Sequence, residues 1–464
     1  MTKRLQKYIG TKEFYISAIA VALPIMLQMG ITNFVSLLDN IMVGSLGTEQ
    51  MSGVSIVNQL LFVFYLCIFG AISGAGLFGA QFFGKRDHDG VRHTFRFKLY
   101  VAMLLYALAT VLLVFWGDPL IKLYLHEGGE TGDLTLTLRF AKEYLLISLI
   151  GLLPYTLTQV YASTLREIGH TVPPMTAGII GVFINLTLNY VLIFGKLGAP
   201  ALGVEGAAIA TVISRFTECV IVILWTHTHA ASCEFVKGVY RSLYVPASLI
   251  KKISVTGLPL LLNETVWAAG QAMLLQCYSV RGIATVSAMN ITNTVYNTFS
   301  VLFMAVGSAV AILLGHLLGA GKTEEARDSA NKMITFSIMT GILCGILVAV
   351  AAPIFPQIYN TTDEVRSLAV LLTLVMALTS PLHAYLHASY FTIRSGGKTL
   401  ITFLFDSGFV WAVNVVLAFC LSRFTSLPMP LVYLTVQSAD VIKALIGGLV
   451  VRHGSWATDL TKQI

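Results

Sequence analysis

The sequence predicts an all-α integral membrane protein, with twelve transmembrane helices in two six-helix lobes related by a pseudo-two-fold axis along the membrane normal. Three observations carry this. First, 56% of the 464 residues are hydrophobic and only 11% are charged, against about 25% charged in an average soluble domain. Mean hydropathy is +0.78. So few charges cannot coat a water-facing surface, which excludes a soluble enzyme, a disordered chain and a disulfide scaffold. Second, the chain holds twelve apolar runs of the length a bilayer needs, about 20 residues each. Third, its two halves repeat one another in register.

The runs fall at 14–43, 52–82, 94–116, 135–163, 172–194, 203–226, 254–280, 287–317, 331–355, 366–392, 400–422 and 428–451. They read as helices because backbone in lipid must satisfy its own hydrogen bonds. A closed barrel would instead need many short alternating strands. The first run follows Lys3, Arg4, Lys7 and Lys12 and shows no small-residue cleavage site after a short core. It therefore reads as a retained membrane helix and not a signal peptide.

Placing the N-terminus in the cytoplasm puts Lys85, Arg86, Arg92, Lys251, Lys252, Lys322 and Arg327 on the inner side. Inner segments then carry about three times as many Lys and Arg as outer ones, the bias expected of a plasma (cell inner) membrane protein with both termini cytoplasmic. The longest inner connection is polar and sits mid-chain. It divides the sequence into an N-terminal lobe (1–226), a cytoplasmic linker (227–252) and a C-terminal lobe (253–464).

A shift of 235 aligns the halves without a gap: Leu23-Pro24 with Leu258-Pro259, Gly47 with Gly282, Asn58 with Asn293, Ser73 with Ser308, Gly84 with Gly319 and Arg92 with Arg327. Apolar matches alone mean little in so apolar a chain, but shared Pro, Gly, Asn and Arg are harder to obtain by chance. Six spans per half start both halves on the same side. The repeat is then parallel, a pattern of transporters with a central site. Glycine-rich stretches at matching places, Gly70–Gly76 and Gly307–Ala311, permit close helix approach.

The net charge of +7 comes from 30 Lys and Arg against 23 Asp and Glu. No basic stripe with interleaved aromatics appears, so nucleic acid is not a partner. The six cysteines form neither a CxxC pair nor a zinc spacing and read as small apolar fillers. No phosphate loop, nucleophile elbow or HExxH is present, so neither ATP hydrolysis, covalent chemistry nor a cofactor is indicated.

Charges inside spans cost about 3 kcal/mol each at the bilayer centre and need reasons. Asp39 lies late in the first span, after Gln28, Thr32, Asn33 and Ser36. Asn185 and Asn189 stand four apart on one face of the fifth. A carboxylate beside two amide oxygens offers hard ligands to Na⁺, or a place for a proton; the structural alternative is a carboxylate at the outer interface. Glu264 follows Asn263 in the seventh span with no Lys or Arg near it on its own helix, a candidate for reversible protonation. Trp267, one turn on, offers a face to organic cations. His383 and His387 stand four apart in the tenth span, where they could relay protons, and Asp406 sits in the eleventh; hydrogen bonding between helices is the alternative for all three. Two sets three residues apart, Arg215 with Glu218 and Asp440 with Lys443, read as internally neutralised pairs.

With these residues the sequence resembles the multidrug and toxic compound extrusion (MATE) family of cation-coupled exporters, over nearly the whole chain. The carriers are Ala22-Leu23-Pro24, Asp39-Asn40-Ile41-Met42-Val43-Gly44, Gly79-Ala80-Gln81-Phe82-Phe83-Gly84, the run Asn185–Gly195, the run Pro200–Thr211, Gly257-Leu258-Pro259 and Gly315–Lys322. The resemblance implies a MATE-like V of two lobes, alternating access, and export of small-molecule organic cations from the bilayer-embedded protein against entry of Na⁺ or H⁺, without a cofactor and as a monomer. It carries the first-span acid onto Asp39 and the paired fifth-span positions onto Asn185 and Asn189. One branch has Asp where this chain has Asn189, so the chain looks NorM-like, with Asp39 the only acid of the first-lobe site. The NorM-like second lobe has an acid in the seventh span, for which Glu264 stands, and one in the tenth, which has no counterpart; His383 lies near its place. His387, Asp406, Trp267, Asn58 and Asn293 are further coupling or substrate candidates. Two other readings are a flippase or exporter of a lipid-linked or endogenous metabolite, and a membrane receptor or scaffold that transports nothing.

Overall fold

The computed structural model describes residues 7–124, 133–359 and 361–462, so Lys3 and Arg4 lie outside the described residues. Twelve long helical segments follow in order: α1 (Lys12–Gly44), α2 (Thr48–Gly84), α3 (His88–Lys122), α4 (Leu134–Glu167), α5 (Val172–Phe194), α6 (Gly203–Thr228), α7 (Ala247–Ser279), α8 (Ile283–Gly319), α9 (Thr323–Ala351), α10 (Asp363–Ser395), α11 (Thr399–Phe424) and α12 (Met429–His453). Each expected span falls on one of them to within a residue, except that the ninth, expected to 355, ends at Ala351. Among the described residues eleven are long and apolar enough to cross a membrane. The exception is α7, whose apolar run is interrupted by Asn263, Glu264, Gln271 and Gln276. The fold is all-α and that of a multi-pass membrane protein.

Local chemistry explains the ends and irregularities. Asp133 caps α4, its carboxylate accepting from the Thr135 and Leu136 amides at 2.8 and 3.2 Å. Gly195 closes α5 in the left-handed conformation, φ 64°. Pro24, Pro154, Pro259 and Pro381 lie inside helices, where each removes a ladder bond. Helix α11 winds as a π-helix over Leu404–Gly408 and Val410–Val415, and α12 is broken at Ala439.

The duplication is visible in the packing. Within the first half α3 packs on α4, α4 on α6 and α5 on α6; within the second, α9 packs on α10, α10 on α12 and α11 on α12. Small residues set the approach of α9 to α10. A Cβ on Gly345 would lie 2.5 Å from the Ala377 carbonyl oxygen, so a larger residue would push the helices apart.

The chain forms two compact units. The N unit holds Ile31–Gly79 and His88–Ile250; the C unit holds the described parts of Met1–Gly30, Ala80–Asp87 and Lys251–Ile464. Helices α1 and α2 are thus each divided between units, at Gly30 and Gly79. In the N unit, buried Lys98 of α3 meets both oxygens of Glu167 at 2.5–2.6 Å and the Thr164 hydroxyl at 3.1 Å. In the C unit, an apolar core joins the start of α1 (Ala18, Ala22, Ile25) to α8, α9 and α10.

Candidate functional site

In the N unit, the C-terminal part of α1 brings Asp39 to α5. Asn189 Nδ2 donates to Asp39 Oδ1 at 2.7 Å and to Asn185 Oδ1 at 3.2 Å. Both asparagines are buried. The end of the Asn185 amide that faces Asp39 lies 2.9 Å from Oδ2 and 3.1 Å from Oδ1, and its other end is 3.2 Å from the Thr211 hydroxyl of α6. A carboxylate oxygen and an amide oxygen so close repel. The contact is favourable when the amide turns its nitrogen to Asp39, or when a proton or cation lies between the oxygens. Asn189 Oδ1 is buried without a hydrogen-bond partner among the described residues. Three sequence-predicted residues are therefore brought together.

Nearby, Arg215 meets Glu218 at 3.3 Å, as the spacing predicts. The Arg215 guanidinium lies 5.0 Å over the Tyr155 ring, which is itself 4.4 Å from that of Tyr65. Asn58 accepts from the Tyr144 hydroxyl at a long 3.4 Å.

In the C unit the acids are arranged differently. Asn263 is the hub: its Nδ2 donates to Asp406 Oδ2 at 3.1 Å and to the Tyr390 hydroxyl at 3.3 Å, and its Oδ1 accepts from the Ser407 hydroxyl at 2.7 Å. Lys443 donates to Asp406 Oδ1 at 2.7 Å. Arg394 Nη1 is 3.9 Å from Glu264 Oε1 and donates to the Tyr390 hydroxyl at 3.2 Å. His383 pairs with the Tyr296 hydroxyl through Nδ1 at 2.9 Å; its Nε2 lies 3.2 Å from Gln437 Oε1 and 3.7 Å from Asp440 Oδ2. Asn414 donates to Asp440 Oδ1 at 3.0 Å.

One expectation is corrected. Lys443 does not neutralise Asp440: it crosses to Asp406 on α11, while Asp440 opens the second piece of the broken α12 and is held by Asn414 and His383. The break at Ala439 and the wide turns of α11 re-aim side chains that a continuous helix would place otherwise. His387 stands four residues on from His383 in α10. It lies among aromatic rings, 4.9 Å from Phe391 and 6.0 Å from Phe303. Trp267 is 39% exposed one turn beyond Glu264, and Asn293 is half-buried on α8. The sequence reading missed Asn263 as a hub, with Tyr390, Arg394 and Ser407 as its partners or neighbours. Asn263 beside Glu264 in an apolar run was the available signal. Among the described residues no three His, Cys, Asp or Glu gather to hold a metal ion, and all six cysteines are free.

The duplicated bundle with polar groups sunk between helices defines a class, the membrane transporters. The MatE family profile matches residues 24–191 and again 260–420, and the chain belongs to the MATE family. Among similar proteins is a probable multidrug resistance protein NorM of Thermotoga maritima, 25% identical over 94% of this chain and 92% of its own. Another is the multidrug resistance protein MdtK of Pectobacterium atrosepticum, 26% identical over 81% of this chain and 79% of its own. A solved structure described as the outward-facing conformation of a multidrug resistance MATE family transporter of the MOP superfamily superposes with a TM-score of 0.83 at 20% identity, covering 98% of each chain.

Proposed function

We propose that the chain is a secondary antiporter that exports small organic cations across the plasma membrane in exchange for H⁺ or Na⁺, with both termini in the cytoplasm. It acts as a monomer by alternating access of two lobes, 1–226 and 253–464, joined by the linker 227–252. The observation that carries the reading is Asp39: a membrane-embedded carboxylate whose hydrogen bonds, among the described residues, come from neutral amides, beside an unfilled buried acceptor. Such a group is incomplete without a small cation. The relatives described as multidrug resistance proteins support the substrate class.

In the mechanism, Asp39 with Asn185 and Asn189 holds H⁺ or Na⁺ in one state and yields it in the other, and unequal affinity of the two states for ion and cargo couples their fluxes. One charge moving through 100 mV releases about 2.3 kcal/mol, enough for about a fifty-fold gradient of cargo. Vesicle transport of ethidium under separately imposed Na⁺ and pH gradients tests this. Flux that follows one gradient and is lost in Asp39→Asn supports it; flux indifferent to both gradients overturns it.

A further inference from the structure

The motif around Gln81 and the repeated Arg92 and Arg327 are not used by the ion site, yet the structure gives each a partner. Arg92 of α3 donates through Nε to the Phe235 carbonyl at 3.1 Å, in the segment that follows α6. Its counterpart Arg327 of α9 donates through Nη2 to the Gly454 carbonyl at 3.1 Å, in the segment that follows α12. In each half, then, the third helix fastens the chain that leaves the sixth.

In the C unit this fastening is elaborate. Gly454 turns left-handed, φ 72°, and the chain folds back. Trp456 is fully buried, donates through Nε1 to the Val451 carbonyl at 3.1 Å and packs with Ala326, Ala330 and Ile393. Its carbonyl oxygen presses on Gly396, where a Cβ would overlap it. The Thr458 hydroxyl donates to the Gly396 carbonyl at 2.5 Å. Gln81, also fully buried, ties the parts together. Its Nε2 donates to the Ser395 carbonyl at 3.0 Å and the Thr458 carbonyl at 3.2 Å, and its Oε1 accepts from the Leu460 amide at 2.6 Å.

Gln81 stands two residues past the point where α2 leaves the N unit for the C unit. The only side chain that binds both the α10–α11 turn and the folded-back tail among these contacts therefore belongs to a helix whose main length, Thr48–Gly79, packs elsewhere. We propose that the segment Gly454–Lys462 is a latch that holds the tip of α2 in the C unit through Gln81, and that its release is part of the change of access. The second clause rests on the alternating-access reading above. A latch biases two states and changes ligand affinity when cut; a strut loses stability alone.

The test uses the full chain in lipid nanodiscs, with Gln81→Leu and Thr458→Val. Amide exchange over Ala80–Asp87 and Gly454–Lys462 is expected to rise at least tenfold in Gln81→Leu and to rise in Thr458→Val, with α4 unchanged. The Kd for ethidium is expected to move at least threefold, in the same direction in both variants. Unchanged exchange overturns the latch, as does raised exchange with Kd within twofold of the parent. A parent chain that binds no ethidium counts against the cation-export reading alone. The latch is then judged by exchange: opening confined to those two segments supports it, and opening spread through α8 and α10 overturns it.

Discussion

The N unit and the C unit both pair buried acids with bases, as Lys98 with Glu167 and Arg215 with Glu218 in the N unit, but the N unit also keeps one acid, Asp39, outside such a pair. Asp39 is held by two asparagine amides, and among the described residues no Lys, Arg or His forms an ion pair with it. In the C unit the three acids within the spans each have a resident cation or imidazole: Lys443 on Asp406, Arg394 near Glu264, His383 near Asp440. A buried charge that lacks a counter-charge is expensive, so it must be completed by a proton or a metal ion from outside. A buried charge already matched needs nothing. On the function proposed above, the difference separates a carboxylate that exchanges its ion from carboxylates built into the scaffold.

The largest effect should come from breaking the scaffold. Lys443→Met leaves Asp406 without its ammonium partner. Removing one partner of a buried pair costs about 3–5 kcal/mol, read as a fall in thermal unfolding temperature in detergent. Adding Asp406→Asn should recover most of it, because both charges are then gone. Asp39→Asn should behave in the reverse way: stability within about 1 kcal/mol, since neutral amides still find hydrogen-bond partners, but ethidium efflux reduced at least tenfold. If Asp39→Asn destabilises as Lys443→Met does and spares efflux, the distinction between the two units is wrong. Glu264→Gln should fall between. Its contact with Arg394 is long at 3.9 Å, and Arg394 keeps the Tyr390 hydroxyl and the faces of Tyr390 and Phe391. A loss of efflux of about threefold is expected, with little change in unfolding temperature.

The sequence made the helices legible because span length and apolarity act locally, and the packing of α3 on α4 answered by α9 on α10 shows the duplication that Pro24 and Pro259 announce. Asp39 with Asn185 and Asn189 was also legible, since a lone acid and an i, i+4 amide pair are patterns within single helices. The C-unit network was not. Lys443 looks like the partner of Asp440 on any regular helix, and the break at Ala439 with the π-helical turns around Asp406 and Asn414 has no signature in residue propensity. The folded-back Trp456 escaped for a related reason: its burial depends on Gly396 and Gln81, which are remote in sequence.

The smallest expected effect sharpens the comparison most directly. Asn189→Asp would set a second carboxyl group against the first, at a position where Nδ2 now lies 2.7 Å from Asp39 Oδ1. Two carboxylates that close cannot both ionise unless a cation stands between them. Either they share a proton, and the pair becomes reluctant to give it up, or they capture Na⁺ with oxygen ligands from both groups and from Asn185. Proton-driven efflux of ethidium should fall and Na⁺-driven efflux should gain, by about twofold each. The corresponding change in the C unit, Asn414→Asp beside Asp440, should leave the choice of driving ion unchanged, because His383 is already at hand to take up the added charge. A shift of ion preference from Asn414→Asp and none from Asn189→Asp would assign the exchange site to the wrong half of the molecule.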